Sequence, residues 1–127
     1  MNSLLNGSLA AVQVPKQVAV LRVHDPLTRW RTRPIHELVM IRGARGYSWL
    51  YWRDGSKQLM AYTLKHYESI LPANQYVRVH QNCVVNQAFV QKIQLTHRGP
   101  QLSLSSGETI AISRRRWMTV KGAFGQQ

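Results

Sequence analysis

Short apolar clusters punctuated by turn residues run along the chain, and most of them read as strands rather than helices. Val18-Ala19-Val20-Leu21-Arg22-Val23 is apolar and β-branched and predicts a first strand, stopped by Asp25-Pro26. Thr28 to Arg33 alternates basic and non-basic residues ahead of Pro34, which suits an edge strand carrying charge. Leu38-Val39-Met40-Ile41 predicts a short buried strand. Tyr47 to Arg53 is rich in aromatics and ends at Asp54-Gly55, a hairpin-turn dipeptide, with Lys57 to Tyr62 as the return strand.

The period then changes. Thr63 reads as an N-cap, and Leu64, Tyr67, Ile70 and Leu71 fall at helical spacing up to Pro72. Tyr76-Val77-Arg78-Val79-His80 alternates strictly, sending Val77 and Val79 to one face and Tyr76, Arg78 and His80 to the other. Asn86 to Phe89 predicts a single turn. Val90 to Leu95 and Gln101 to Ser105 predict strands around His97-Arg98-Gly99-Pro100, followed by Thr109 to Ile112. Ser113 caps a last short helix from Arg114 to about Val120, with Trp117 and Val120 on its apolar side. Residues 1–17 show no period and read as a flexible lead-in, leaving residues 18–127 as one domain. The fold class is mostly β, with short strands and two small helices.

Charge changes the picture most. Seventeen Lys+Arg against five Asp+Glu give a net charge of +12 and a pI near 11.0. Such an excess repels itself in a compact chain and points to an anionic partner, with nucleic acid ahead of a membrane surface. A membrane surface normally needs a Lys-rich amphipathic helix, whereas here Arg dominates and is scattered among strands. No apolar run approaches the ~20 residues of a membrane span. The amino end lacks a basic n-region, so the expectation is a soluble, cytoplasmic protein. The single Cys83 excludes an internal disulfide or a Cys-rich zinc site. Spacings of His and acids suggest no metal site and no cofactor.

Arg114-Arg115-Arg116 occupy the first turn of the last helix, where each cation opposes the helix dipole by ~0.3–1 kcal/mol. Guanidiniums beside free N–H groups form an anion trap, and departures from a local rule are expected at functional sites. Arg78 and His80 share a strand face that delivers Gln81 and Asn82 into a turn, where their amides can read adenine. His80 on its own reads more readily as a hydrogen-bonded structural residue than as a catalyst. The loop Arg42-Gly43-Ala44-Arg45-Gly46 combines charge with close backbone approach. Trp49, Tyr51 and Trp52 read as core and sheet-face residues, or alternatively as a base-stacking platform.

The order of motifs resembles the LytTR-type DNA-binding domain of bacterial transcriptional regulators. Tyr76-Val77-Arg78-Val79-His80-Gln81-Asn82-Cys83-Val84-Val85-Asn86 is similar to the family signature F-x-R-x-H-R-S-y-l-V-N. Leu104 to Arg114 resembles its l-x-n-G-x-x-i-p-v-S-R ending, and Ile35–Ile41, Tyr47–Gly55 and Thr63-Leu64 match upstream elements in order. The resemblance implies an elongated arrangement of about ten short strands in small antiparallel sheets, presenting loops to successive major grooves. By position it assigns base reading to Tyr47, Gln81 and Arg114. Ser48, Asn82, Ser113 and Arg115 would approach phosphates, joined by the loop cations Arg45, Arg78 and Arg116, and His80 would support the loop. Gln81 and Asn82 stand where Arg-Ser is common, which leaves the base preference open. Arg42-Gly43 stands where an acid and Ala are usual. The chain leaves no room for the usual receiver domain, so it reads as a stand-alone regulator or a fragment of a larger one.

The leading expectation is therefore a non-enzymatic, sequence-specific double-stranded DNA-binding regulator, binding as two copies on spaced repeats and possibly as a homodimer on DNA. The alternative is a module for single strands or RNA that stacks bases on its aromatics. A nuclease built on His80 would need acid, base and clamp partners that the sequence does not place together.

Overall fold

The computed structural model describes residues 18–124; the expected lead-in at 1–17 lies outside the described residues. Ten strands form three antiparallel sheets. β1 (Val20–Asp25) and β2 (Arg29–Pro34) make a hairpin. The central sheet has the order β5-β4-β3-β7-β6, from β3 (Leu38–Ala44), β4 (Tyr47–Trp52), β5 (Lys57–Met60), β6 (Tyr76–His80) and β7 (Cys83–Asn86). The third sheet is β10-β9-β8, from β8 (Val90–Thr96), β9 (Gly99–Leu104) and β10 (Thr109–Ala111). Helix α1 (Leu64–Ile70) follows β5, and helix α2 (Arg114–Ala123) follows β10. The mostly β class with two helices is the observed one.

The central sheet is covered on both faces. On one face Leu38, Ile41, Leu50, Trp52 and Val84 pack against Leu21 and Val23 of the hairpin and Leu64 and Tyr67 of α1. On the other, Val39, Met40, Val77, Val79 and Val85 pack against Leu102 and Leu104 of β9, Ile110 and Val120. Leu38 and Ile41 of β3 reach one core and Val39 and Met40 the other, which requires the alternation to slip once. It does so at an irregularity in pairing between Leu38 and Met40, which returns Ile41 to the Leu38 face. Each fully buried Leu, Ile or Val contributes ~1.5–3 kcal/mol against exposure, so the double cover holds the sheet from both sides.

Several expectations change with that second core. Tyr76 is buried rather than outward, because α1 closes the face on which it lies. Cys83–Asn86 is a strand that the sequence pattern did not predict; all four residues are buried, so no alternation marks it. The strand at Leu38 continues through Ala44, which shrinks the expected Arg42–Gly46 loop to a two-residue turn at Arg45-Gly46. The last helix runs past Val120 to Ala123. Both helix caps form as expected: Thr63 Oγ1 accepts the His66 N–H at 3.1 Å, and Ser113 Oγ accepts the Arg116 N–H at 3.3 Å.

Asn86 ties the two ends of the core together. Its Nδ2 donates to the Leu38 carbonyl at 2.9 Å and to Tyr76 Oη at 3.2 Å, while Oδ1 accepts the Ala88 N–H at 2.9 Å. Tyr76 Oη donates in turn to the Ile35 carbonyl. Burial pushes the Tyr76 phenol far above its ordinary range, so it stays a donor. Asn86→Leu keeps the volume but strands a carbonyl and an amide, and should lower stability by about 2–4 kcal/mol in urea unfolding. A loss well under 1 kcal/mol would show that these bonds matter little.

Arg33, expected as surface charge, is buried at 6% exposure. Its guanidinium stacks on the Trp52 ring at 4.2 Å, donates to Ser56 Oγ at 2.9 Å and pairs with Asp54 at 3.1 Å. Hydrogen bonds from the Ser56 hydroxyl and N–H, with Arg33 adding to them, hold the Asp54 carboxyl down to about 2 from an ordinary 3.8. A depressed carboxyl pKa stabilises the fold above the unfolded value and loses that contribution as pH falls. Stability should therefore decline as pH falls from about 4 to about 2, and Asp54→Asn should flatten that decline. Urea midpoints across that window test this; parallel profiles for the two proteins would refute it.

Candidate nucleic-acid interface

Three segments meet at one end of the central sheet. The first is the β3–β4 turn, where Arg45 and Gly46 both have positive φ, 51° and 89°. This is the geometry of a tight two-residue hairpin turn, and it puts Tyr47 at the start of β4 with its ring 49% exposed. Only Gly46 of the loop's two glycines needs to be glycine. A Cβ at Gly43 would meet Leu64 at an ordinary 3.6 Å.

The second segment is the β6–β7 turn, Gln81-Asn82, with both side chains exposed. Arg78 builds it. Its Nε donates to the His80 carbonyl at 3.2 Å, one terminal nitrogen donates to the Gln81 carbonyl, and the other pairs with Glu68 of α1 at 2.7 Å. His80 Nδ1 accepts the Asn82 N–H at 3.2 Å, so that nitrogen carries the lone pair. The Gly43 N–H then donates to the Asn82 carbonyl at 3.0 Å, fastening this turn to β3.

The third segment is the start of α2. The Ser113 N–H donates to the Val79 carbonyl at 2.9 Å, which sets the helix N-terminus beside β6. His80, Gln81, Ser113, Arg115 and Arg116 line one open cleft. Arg42, Gly43, His80, Asn82 and Cys83 line a second with β10. Arg114 and Arg115 are exposed, and no acid lies in the helix's first turn. The cationic start expected to oppose the dipole is real.

Two expected contacts are used otherwise. Ser48 is fully buried and its Oγ donates to the Tyr62 carbonyl at 2.7 Å, so that hydroxyl faces inward, away from any phosphate. The Arg78 guanidinium is spent on Glu68 and two carbonyls, which makes it a clamp on the turn rather than a free cation. Arg98 and Lys65 were not expected. The Ile112 N–H to Pro100 carbonyl bond carries the Arg98 turn toward the start of α2, and Leu64 abuts Gly43, bringing Lys65 close. A cation in a helix's first turn, as at Lys65, is the same signal that Arg114 gives.

Most of the acids sit elsewhere or are engaged. Asp54 and Glu37 lie at the opposite end of the sheet, Glu68 is held by Arg78, and Glu108 is close enough to raise the Cys83 thiol. Burial pushes the Cys83 thiol up to about 11, with Arg42 opposing, so it is no nucleophile near neutrality. Among the described residues no three His, Cys, Asp or Glu side chains converge as metal ligands, and no helix is long and apolar enough to cross a membrane.

The family model for the LytTr DNA-binding domain matches residues 28–125. Among solved structures, a LytTr DNA-binding domain from Bacillus cereus superposes with a TM-score of 0.76 at 19% identity, covering 86% of this chain and 99% of that one. A search of curated proteins found no match.

The Arg78 clamp makes a direct prediction. Arg78→Met leaves two carbonyls and Glu68 without their cation, and a charge-assisted hydrogen bond contributes ~1.5–3 kcal/mol. Amide exchange at Asn82 and Gly43 should accelerate roughly tenfold or more, with Val84 and Val85 unchanged. Uniform acceleration across β7 would mean a global loss of stability instead.

Proposed function

The chain belongs to the LytTR family of DNA-binding domains, the DNA-binding parts of transcriptional regulators, and on that premise we propose that it reads duplex DNA sequence-specifically through the three segments at the end of its central sheet. One observation carries this: the bonds from Gly43 to Asn82 and from Ser113 to Val79 assemble three exposed polar segments into one surface rich in arginine. In this reading Tyr47, Gln81 and Arg114 face base edges in the major groove. Arg42, Arg45, Arg115 and Arg116 neutralise phosphates and Asn82 and Ser113 hydrogen-bond to them, with His80 and Arg78 holding the middle turn in shape. Two copies bind spaced repeats, each supplying one such surface, as a homodimer on DNA.

The single-strand alternative has less support. Lys57 Nζ lies 4.7 Å from the Trp49 ring centre and 5.8 Å from that of Tyr51, and Trp52 is buried under Arg33, so these rings are already covered.

Selection of duplexes from a random library tests the proposal. Uniform recovery, with no enriched site, refutes it. On the enriched duplex Arg114→Ala should lose about 1–3 kcal/mol and flatten preference at one base pair, and Arg114→Lys should restore charge but only part of the preference. Arg115→Ala should weaken enriched and scrambled duplexes alike and lower the salt slope by roughly one counterion. If Arg114→Ala weakens both duplexes equally, Arg114 contacts phosphate and reads no base.

A further inference from the structure

Among the described residues, only two besides glycine have a left-handed backbone, and both are arginines on hairpin turns: Arg45 with φ 51° and Arg29 with φ 61°. Gly or Asn would occupy such a position with less strain, so an arginine there is retained against a local cost. Arg45 belongs to the surface described above. Arg29 closes the β1–β2 hairpin opposite Asp25, and none of that hairpin takes part in the loop surface.

The hairpin is two-sided. One face sends Leu21 and Val23 into the core. On the other, pairing sets Arg22 opposite Thr32 and His24 opposite Trp30. The Arg22 guanidinium lies 4.9 Å from the Trp30 ring centre, and the His24 ring meets Trp30 edge-on at 5.1 Å. Trp30 is 51% exposed. Arg22, Arg29 and Arg31 are exposed, and none forms a direct salt bridge among the described residues, although the charge of Arg31 is felt by Asp25. The one acid in the hairpin, Asp25, turns its carboxylate onto the Leu27 and Thr28 N–H groups at 2.9 and 3.4 Å. The outer face thus carries Arg22 beside an exposed indole, while the register sets Arg31 opposite Val23 and Arg29 opposite Asp25, both exposed along the hairpin's other side toward its tip. Stacking on Trp30 orders Arg22 before anything binds, which reduces the entropy lost on contact.

We propose that this hairpin is a second DNA contact, in which Arg22, Arg29 and Arg31 grip backbone phosphates outside the bases read by the loop surface. The proposal rests on the duplex-DNA reading above. Charge complementarity selects the partner: three exposed cations face the single acid Asp25, whose carboxylate is already engaged by backbone N–H groups, and each phosphate they neutralise releases counterions.

The test compares two variants that remove the same charge. Arg22→Gln, Arg29→Asn and Arg31→Gln together alter the hairpin. Arg53→Gln, Lys92→Gln and Lys121→Gln together alter exposed cations elsewhere. Affinity for the duplex that the wild type enriches is measured across a salt series. Each lost phosphate contact lowers the slope of log K against log salt by ~0.9, so the hairpin variant should be shallower than its charge-matched control by about two to three. At low salt it should bind at least tenfold more weakly than the control. Arg29→Asn alone should lower the slope by about one while its melting temperature holds or rises, because Asn accepts the left-handed backbone more readily. Equal slopes for the two triple variants overturn the proposal and leave the hairpin to a different partner, such as an acidic protein. A wild type that enriches no duplex overturns this proposal together with the DNA reading. A wild type that enriches one, with equal variants, overturns this proposal alone.

Discussion

The inner strands of the central sheet, buried on both faces, govern this structure. Every side chain of β7 is buried, and β3 feeds two cores from four consecutive apolar residues. A strand in that position has no water to satisfy its polar groups, so each must find a protein partner. Asn86 is the consequence, a fully buried amide whose bonds reach β3, β6 and the turn at Ala88. The pairing slip between Leu38 and Met40 is another, since strict alternation would have sent Ile41 to the wrong core.

That rigidity sets where function can sit. With both faces of its inner strands covered, the central sheet meets solvent chiefly at its ends and edges, and the exposed groups of the proposed interface collect at the end where β3–β4, β6–β7 and α2 begin or turn. The turns there are short and cross-bonded through backbone groups. Their exposed side chains are therefore displayed from a frame that need not be ordered on binding, the condition under which polar contacts discriminate well.

Arginine plays contrasting parts in this chain. Arg33 is buried and neutralised by Asp54, Arg78 is consumed in shaping a turn, and Arg114 and Arg115 stand free at a helix start that does not favour them. Of the few acids, Asp54 and Glu68 engage structural cations, and Glu37 and Asp54 lie at the far end of the sheet. The net charge of +12 therefore understates the local contrast between the two ends.

Much of this was legible in the residues alone. The hairpin dipeptide Asp54-Gly55, the caps Thr63 and Ser113, most strands and the fold class follow from local chemistry, which acts over a few residues and leaves a readable period. So does the family signature from Tyr76 to Asn86, because it packs several such local demands into one run. What sequence could not supply was pairing between distant segments. Cys83–Asn86 lacks alternation because it is buried on both sides, and Tyr76 turns inward because α1, a separate element, covers it. Ser48, Arg33 and Arg78 look in sequence like any exposed polar residue; only the approach of Tyr62, Trp52 and Glu68 decides that their polar atoms are spent inside the fold. Local spacing determines which element a residue joins, whereas which face closes over it depends on the register of strands far apart in the chain, and that is settled only when both cores assemble.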